Sequence, residues 1–188
     1  IGRAFLMATF PVTMTAGWLA PHAPFPLALD AITTPTPLGV LREQGLEAAT
    51  RVIAGPGGWM GLALGMRPGS IGEVSVLLIA FGAALLVARG IIRLTIPLAI
   101  FAGVAAVTAF TGAPWLHLLG GGLWLGAFFM ATDYVTSPTT RNGQIAFGLL
   151  IGLLTGVIRL YGGYPEGICY AILLANAILH SSLGGHRP

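Results

Sequence analysis

Apolar runs of about 20 residues, nearly free of charge inside, are the feature that most narrows what this chain can become, because each is long enough to cross a bilayer as a helix. Backbone in hydrocarbon finds no water to bond, so each run must satisfy its own N–H and C=O groups, as a helix does. About six stretches qualify, at 3–20, 72–89, 91–111, 115–132, 144–160 and 166–182. Tight joints such as Arg89-Gly90 and Gly112-Ala113-Pro114 make neighbouring runs antiparallel. Only 8% of residues are charged against 55% hydrophobic, whereas a soluble domain carries roughly a quarter charged. The expected fold is all-α, a polytopic transmembrane helix bundle, with residues 1–188 forming one domain.

The formal charge of +3 comes from nine arginines with no lysine. They stand singly at the ends of apolar runs, the pattern that orients a membrane protein, and not in the one-faced cluster of a nucleic-acid binder. Alternating the runs places Arg3, Arg89, Arg93, Arg141 and Arg187 on one side and Arg42, Arg51, Arg67 and Arg159 on the other. The second side also carries Asp30, Glu43, Glu47, Glu73 and Glu166, but acids contribute little to topology; the positive-inside rule takes the side of Arg89 and Arg93 as cytoplasmic and the segment 21–71 as extracytoplasmic. Cys169, the lone cysteine, lies in an apolar run and reads as a packing residue. The chain opens at Ile1 with no signal-peptide pattern, and it is expected to be part of a longer protein.

Loops longer than about 12–15 residues in a compact bundle usually carry function, and 21–71 is the longest here. Within it, 38–53 alternates apolar and charged residues at helical spacing and is expected to lie along the surface. Just before it stands Asp30-Ala31-Ile32-Thr33-Thr34-Pro35-Thr36-Pro37-Leu38. Prolines on both sides of Thr36 favour extended or turn backbone and leave its hydroxyl accessible. By residue type alone this is a rigid surface turn or a modifiable hydroxyl. Glycines at Gly120, Gly121, Gly122 and Gly126, and at Gly148, Gly152 and Gly156, read either as close helix packing or as room for a ligand or ions.

Further residues carry chemistry at the ends of the runs. Glu73 opens an apolar run, where an acid is either a functional group facing protein or ordinary helix-start chemistry. Asp133 and Arg141 bracket a turn rich in hydroxyls, and Ser137 or Thr139 is the expected cap of the next helix. Arg159 with Tyr161-Gly162-Gly163-Tyr164-Pro165 forms an outward corner. His22, His117, His180 and His186 lack metal-site spacing, and no cysteine cluster exists for iron–sulfur ligation. No metal site is expected.

The threonine segment resembles the flavin-attachment motif Asp-x-x-Ser/Thr-Gly/Ser-Ala-Thr, continued as Pro-Leu, of the D subunits of Rnf-type ferredoxin:NAD⁺ oxidoreductases and the related B subunits of Na⁺-translocating NADH:quinone reductases. Asp30 and Thr33 match, while Thr34 and Pro35 stand where a small residue and alanine are usual. Gly2-Arg3-Ala4-Phe5-Leu6 with Phe10-Pro11-Val12-Thr13-Met14-Thr15, Gly69-Ser70-Ile71-Gly72-Glu73-Val74-Ser75, 128–140 and 161–167 are similar to further elements of that family, in the same order. The resemblance implies FMN joined by a phosphoester to Thr36, supported by Asp30, Thr33 and Glu73. It also implies a second, noncovalent flavin, riboflavin, for which Asp133, Thr136, Ser137 and Thr139 are candidate contacts. It further implies a multi-pass protein of the bacterial inner membrane with its flavin loop periplasmic. Such a protein relays electrons between iron–sulfur and covalent-flavin subunits, with ferredoxin and NAD⁺ bound by partners and no nucleic acid involved. The rival readings are a flavin-free transporter whose helices break at Pro11 and Pro97, and a scaffold that only anchors other subunits.

Overall fold

A computed structural model of the chain describes residues 2–10, 18–19, 33–34, 36–53, 58–65, 72–120, 122–162 and 167–183. Among these residues the regular structure is helical apart from one two-residue ladder. In order come α1 (Gly2–Thr9), β1 (Trp18–Leu19), β2 (Thr33–Thr34), α2 (Pro37–Ile53), α3 (Gly58–Leu64), α4 (Val76–Ala88) and α5 (Thr95–Thr108). Then follow α6 (Pro114–Leu119), α7 (Leu123–Leu125, running on as a π-helical turn over Gly126–Met130), α8 (Arg141–Tyr161) and α9 (Ile168–Leu183).

The helix starts show how local sequence sets these boundaries. Ser75 caps α4, its Oγ accepting from the Leu78 N–H at 3.3 Å, and Thr140 caps α8, its Oγ1 accepting from the Gly143 N–H at 3.3 Å. Each replaces an intrahelical partner that a first-turn N–H lacks. Pro97 sits in the first turn of α5, where no i−4 carbonyl awaits its missing N–H. It therefore makes no break in that run.

The centre of the bundle is the pairing of α5 with α8, and the glycines explain how close it is. A Cβ added at Gly152 would lie 2.4 Å from the Ile100 carbonyl oxygen and 2.9 Å from Cα of Gly103. One at Gly148 would lie 2.6 Å from Cβ of Ala99. Spaced four apart, Gly148, Gly152 and Gly156 make a groove on one face of α8 into which α5 sinks, as close backbone approach requires where lipid gives no hydrophobic drive. Ile96, Ile100 and Val104 of α5, Phe147 and Ile151 of α8, Ala171, Ile172 and Ala175 of α9, and Leu123, Ala127 and Phe128 complete the core. On the face of α8 about 100° round from the glycines, Leu149, Leu153 and Val157 are exposed, as are Leu78, Phe81 and Leu85 on α4 and Leu174 and Ile178 on α9. An apolar outside over a small-residue inside is the inversion that lipid demands.

Among the described residues one helix, α8, with 21 residues and mean hydropathy 1.7, is long and apolar enough to cross a membrane, while Val76–Ala88, Thr95–Thr108 and Ile168–Leu179 are shorter apolar helices. Two of the expected runs take a different form. In 3–20 the helix ends at Thr9, and Trp18 and Leu19 pair antiparallel with Thr34 and Thr33; residues 11–17, with Pro11, lie outside the described residues. The run 115–132 is interrupted between Leu119 and Leu123.

Candidate functional site

That interruption is where the most distinctive chemistry gathers. α6 stops at Gly120, whose backbone turns extended (φ −85, ψ 155), and α7 resumes after Gly122. Breaking a helix in a packed interior strands carbonyls on one side and N–H groups on the other. The chain brings a charge of the fitting sign to each end. Arg159 of α8, 4% exposed, donates through Nη1 to the His117 carbonyl and through Nη2 to that of Gly120 at 3.3 Å. Glu73, 5% exposed, lays its carboxylate against Gly122, where an added Cβ would lie 2.7 Å from Oε2. A cation at the carbonyl end and an anion at the amide end both oppose the helix dipole.

The walls of the gap are stiffened by aromatic packing. Trp124 donates Nε1–H to the Leu118 carbonyl at 3.0 Å, bridging the two half-helices. Its ring stacks on Phe128 (5.6 Å) and tilts against Phe101 (5.0 Å). His117 is buried with neither ring nitrogen hydrogen-bonded among the described residues.

The threonine motif ends against the same interruption. Pro37, at the first helical position of α2, carries the fixed φ that a helix start needs, so Thr36 becomes the N-cap. Its Oγ1 accepts from the Gly39 N–H at 3.2 Å, and its carbonyl accepts from the Val40 N–H at 3.0 Å. The residue is 8% exposed, which corrects the expectation of an open hydroxyl: with Pro37 opening α2, Thr36 is held at the helix end. Two residues on, Leu38 packs against Gly120, where an added Cβ would lie 3.0 Å from Cγ of Leu38. With Val40, Ala49, Ala113 and Leu116 it forms a second core. Arg42 donates to the Gly162 carbonyl at the end of α8. Gly45, at φ 84, kinks α2 beyond that tie, and the far half presents exposed Glu47 and Arg51, 3.9 Å apart.

Thr36 and Glu73 therefore border one interruption, Thr36 through Leu38 on Gly120 and Glu73 on Gly122. Asp30 lies outside the described residues, and Thr33 enters as backbone of β2. Asp133 and Thr136 are exposed and bond each other, Thr136 Oγ1 donating to Oδ2 at 3.4 Å. Ser137 and Thr139 instead line a half-open cavity of about 330 Å³ with Arg93 and Gln144. Among the described residues no ion pair joins Asp133 to Arg141, and the cap of α8 is Thr140, not Ser137 or Thr139. Arg159, expected at an outward corner, is turned inward beneath the half-helices. The sequence signal for this was Gly120-Gly121-Gly122 inside an apolar run, since consecutive glycines punctuate helices.

Comparison with known proteins adds the following. The model of the NQR2, RnfD, RnfE family matches residues 1–180. The D subunit of the proton-translocating ferredoxin:NAD(+) oxidoreductase complex of Clostridium ljungdahlii is 46% identical over 187 residues, covering 95% of this chain and 55% of the relative. The D subunit of the Na(+)-translocating ferredoxin:NAD(+) oxidoreductase complex of Acetobacterium woodii is 42% identical over 179 residues, with coverages of 93% and 52%. The B subunit of the Na(+)-translocating NADH-quinone reductase of Chromohalobacter salexigens is 37% identical over 190 residues, with coverages of 93% and 43%. The chain spans about half the length of the curated relatives it matches.

Proposed function

This chain belongs to the NQR2, RnfD, RnfE family, and on that premise we propose that it is the membrane part of an electron-transfer subunit in an ion-translocating ferredoxin:NAD⁺ oxidoreductase complex, carrying FMN esterified to Thr36. In this reading ferredoxin and NAD⁺ are bound by partner subunits, with iron–sulfur and further covalent-flavin subunits as neighbours. On the same reading α4, α5, the α6–α7 pair, α8 and α9 cross a bacterial inner membrane with the threonine loop periplasmic, while the eight residues of α1, about 12 Å of helix, are too few to cross it.

The observation that carries the flavin assignment is the hydrogen bonding of Thr36. Its oxygen accepts from Gly39, while its hydroxyl proton goes to no group among the described residues. Replacing that proton by phosphorus therefore breaks no hydrogen bond there, and Oγ1 stays where the cap holds it. FMN, when bound, supplies one- and two-electron transfer. The protein contributes the rest. The first turn of α2, ahead of the kink at Gly45, offers its positive dipole end to a phosphate charge. Leu38 on Gly120 and Arg42 on Gly162 fix that helix end to the bundle, so that a group attached at Thr36 has one anchored end. For riboflavin, Ser137 and Thr139 of the four candidate contacts line one cavity, and the proposal is confined to the covalent flavin.

The test is a denaturing gel of the full-length protein made alongside a functional flavin transferase. In-gel flavin fluorescence should migrate with the polypeptide, vanish in Thr36→Ala and persist in Thr33→Ala. Fluorescence that survives Thr36→Ala refutes the assignment. A dark wild-type band supports the second reading, a flavin-free transporter or scaffold. That reading draws on the interrupted helix with opposite charges at its ends, an arrangement that builds solute sites in transporters.

A further inference from the structure

At the other set of helix ends lies the half-open cavity of about 330 Å³, lined by Ile92, Arg93, Ile96, Ser137, Thr139 and Gln144 among others. It goes beyond the flavin reading and does not depend on it. Gln144 is 8% exposed. Its Nε2 donates to the Pro138 carbonyl at 3.1 Å. A carbonyl only accepts, so this bond fixes which way the amide faces. Oε1 is left buried with no hydrogen-bond partner among the described residues. A buried acceptor left unmet costs about 1–3 kcal/mol, and this one belongs to a residue that lines a cavity open to the outside. It calls for a ligand with an O–H or N–H donor.

The rest of the lining calls for an anion beside that donor. Arg93 is exposed, and no ion pair or hydrogen bond of its side chain is found among the described residues. α5 and α8 both begin at this cavity, so two positive dipole ends add to the guanidinium. The apolar helices α4, α5 and α8 all end here, α4 at Ala88, α5 at Thr95 and α8 at Arg141, which puts the cavity at head-group level. Ile91, Ile92 and Ile96 supply its apolar lining, with Ile91 exposed at the outside. Donor, anion and apolar tail together describe one class of molecule. We infer that this cavity binds a phosphodiester lipid whose head group carries a hydrogen-bond donor, such as phosphatidylglycerol or phosphatidylethanolamine, with its phosphate at Arg93 and its donor at Gln144 Oε1. Basic pockets between membrane helices commonly take anionic head groups; the amide acceptor adds selection by head-group chemistry.

The experiment is native mass spectrometry of the delipidated full-length protein, titrated with phosphatidylglycerol, phosphatidylethanolamine and phosphatidylcholine of matched chains, and with tail-free glycerol phosphate and phosphoethanolamine. Phosphatidylcholine has the phosphate but no donor, so the wild type should bind it about tenfold more weakly than the other two, the worth of one buried hydrogen bond. The tail-free head groups should not bind measurably, which separates a lipid site from a phosphate site. Gln144→Met should erase the difference between lipids, whereas Arg93→Gln, on an exposed side chain that folding does not need, should weaken all three alike and keep their order. Equal affinity of the wild type for the three lipids overturns the inference. So do a preference that survives Gln144→Met, tail-free head groups binding as well as lipid, or release from the wild type of a flavin that Arg93→Gln no longer retains.

Discussion

The contact between α5 and α8 makes a quantitative demand on glycine, and a pair of substitutions to alanine reads it out. At Gly152 the added Cβ would stand 2.4 Å from a backbone oxygen and 2.9 Å from a backbone Cα, about 1 Å inside ordinary contact, with no side chain able to swing away. The helices must part, an overpacking cost of about 1–3 kcal/mol. Against it stands a gain of about 0.5–1 kcal/mol for replacing glycine inside a helix, which leaves a net loss of roughly 1–2 kcal/mol. At Gly82, within α4, the nearest group is the tip of Phe129 at 3.4 Å, so alanine there should keep the helical gain of about 0.5–1 kcal/mol. With about 2–4 °C per kcal/mol for a chain of this size, the two variants should differ by roughly 5–10 °C in melting midpoint. The assay is size-exclusion chromatography of the detergent-solubilised full-length protein after a graded heat step, scoring the monodisperse fraction. A Gly152→Ala midpoint at or above that of Gly82→Ala would show that the seam is not closed to a methyl group, and the packing account would fall.

Three further outcomes follow from the interruption and the motif. Arg159→Met strips the cation from two interior carbonyls and should cost about 2–4 kcal/mol in the same heat assay, with Arg159→Lys intermediate because an ammonium lacks the planar fork; a methionine variant as stable as wild type contradicts the bracing role. Thr36→Ala should lose the cap as well as any ester, about 0.5–2 kcal/mol, whereas Thr36→Asp should keep the cap and lose only flavin fluorescence; equal instability of the two would deny Thr36 its capping role. Gly122→Ala should push against the Glu73 carboxylate and destabilise wild type more than it destabilises a Glu73→Ala background, so a double-mutant cycle with no coupling would remove the contact from the account.

Much of this fold was legible from residue order, where the deciding forces are local. The amphipathic spacing over 38–53 reads directly as α2, and the four-residue repeat of Gly148, Gly152 and Gly156 reads as a close helix face, because both patterns depend on neighbours within one helix. The interruption at Gly120 and Gly122 was harder to see. Glycine barely lowers the hydropathy of a run, and what makes a break tolerable, Arg159 and Glu73, comes from distant positions in the chain. The choice of Thr140 over Ser137 or Thr139 as the cap of α8 was likewise hidden. Hydroxyls close in sequence have nearly equal capping propensity, and the position where the turn around Pro138 ends decides among them. At the candidate site, Thr36 was visible as a motif position, but its role as a helix cap needed the position of Gly39.

The bracing of the half-helices also sets a schedule. The carbonyls of Gly120 and His117 are synthesised 39 and 42 residues before the guanidinium that receives them. At ribosomal speeds of about 5–20 residues per second, they wait roughly 2–8 s for their partner. During that interval hydrocarbon offers them nothing, so the α6–α7 segment has to linger beside water or the insertion machinery until α8 emerges. Biogenesis of this bundle is therefore ordered from its C-terminal half backward: a helix made later completes one threaded earlier.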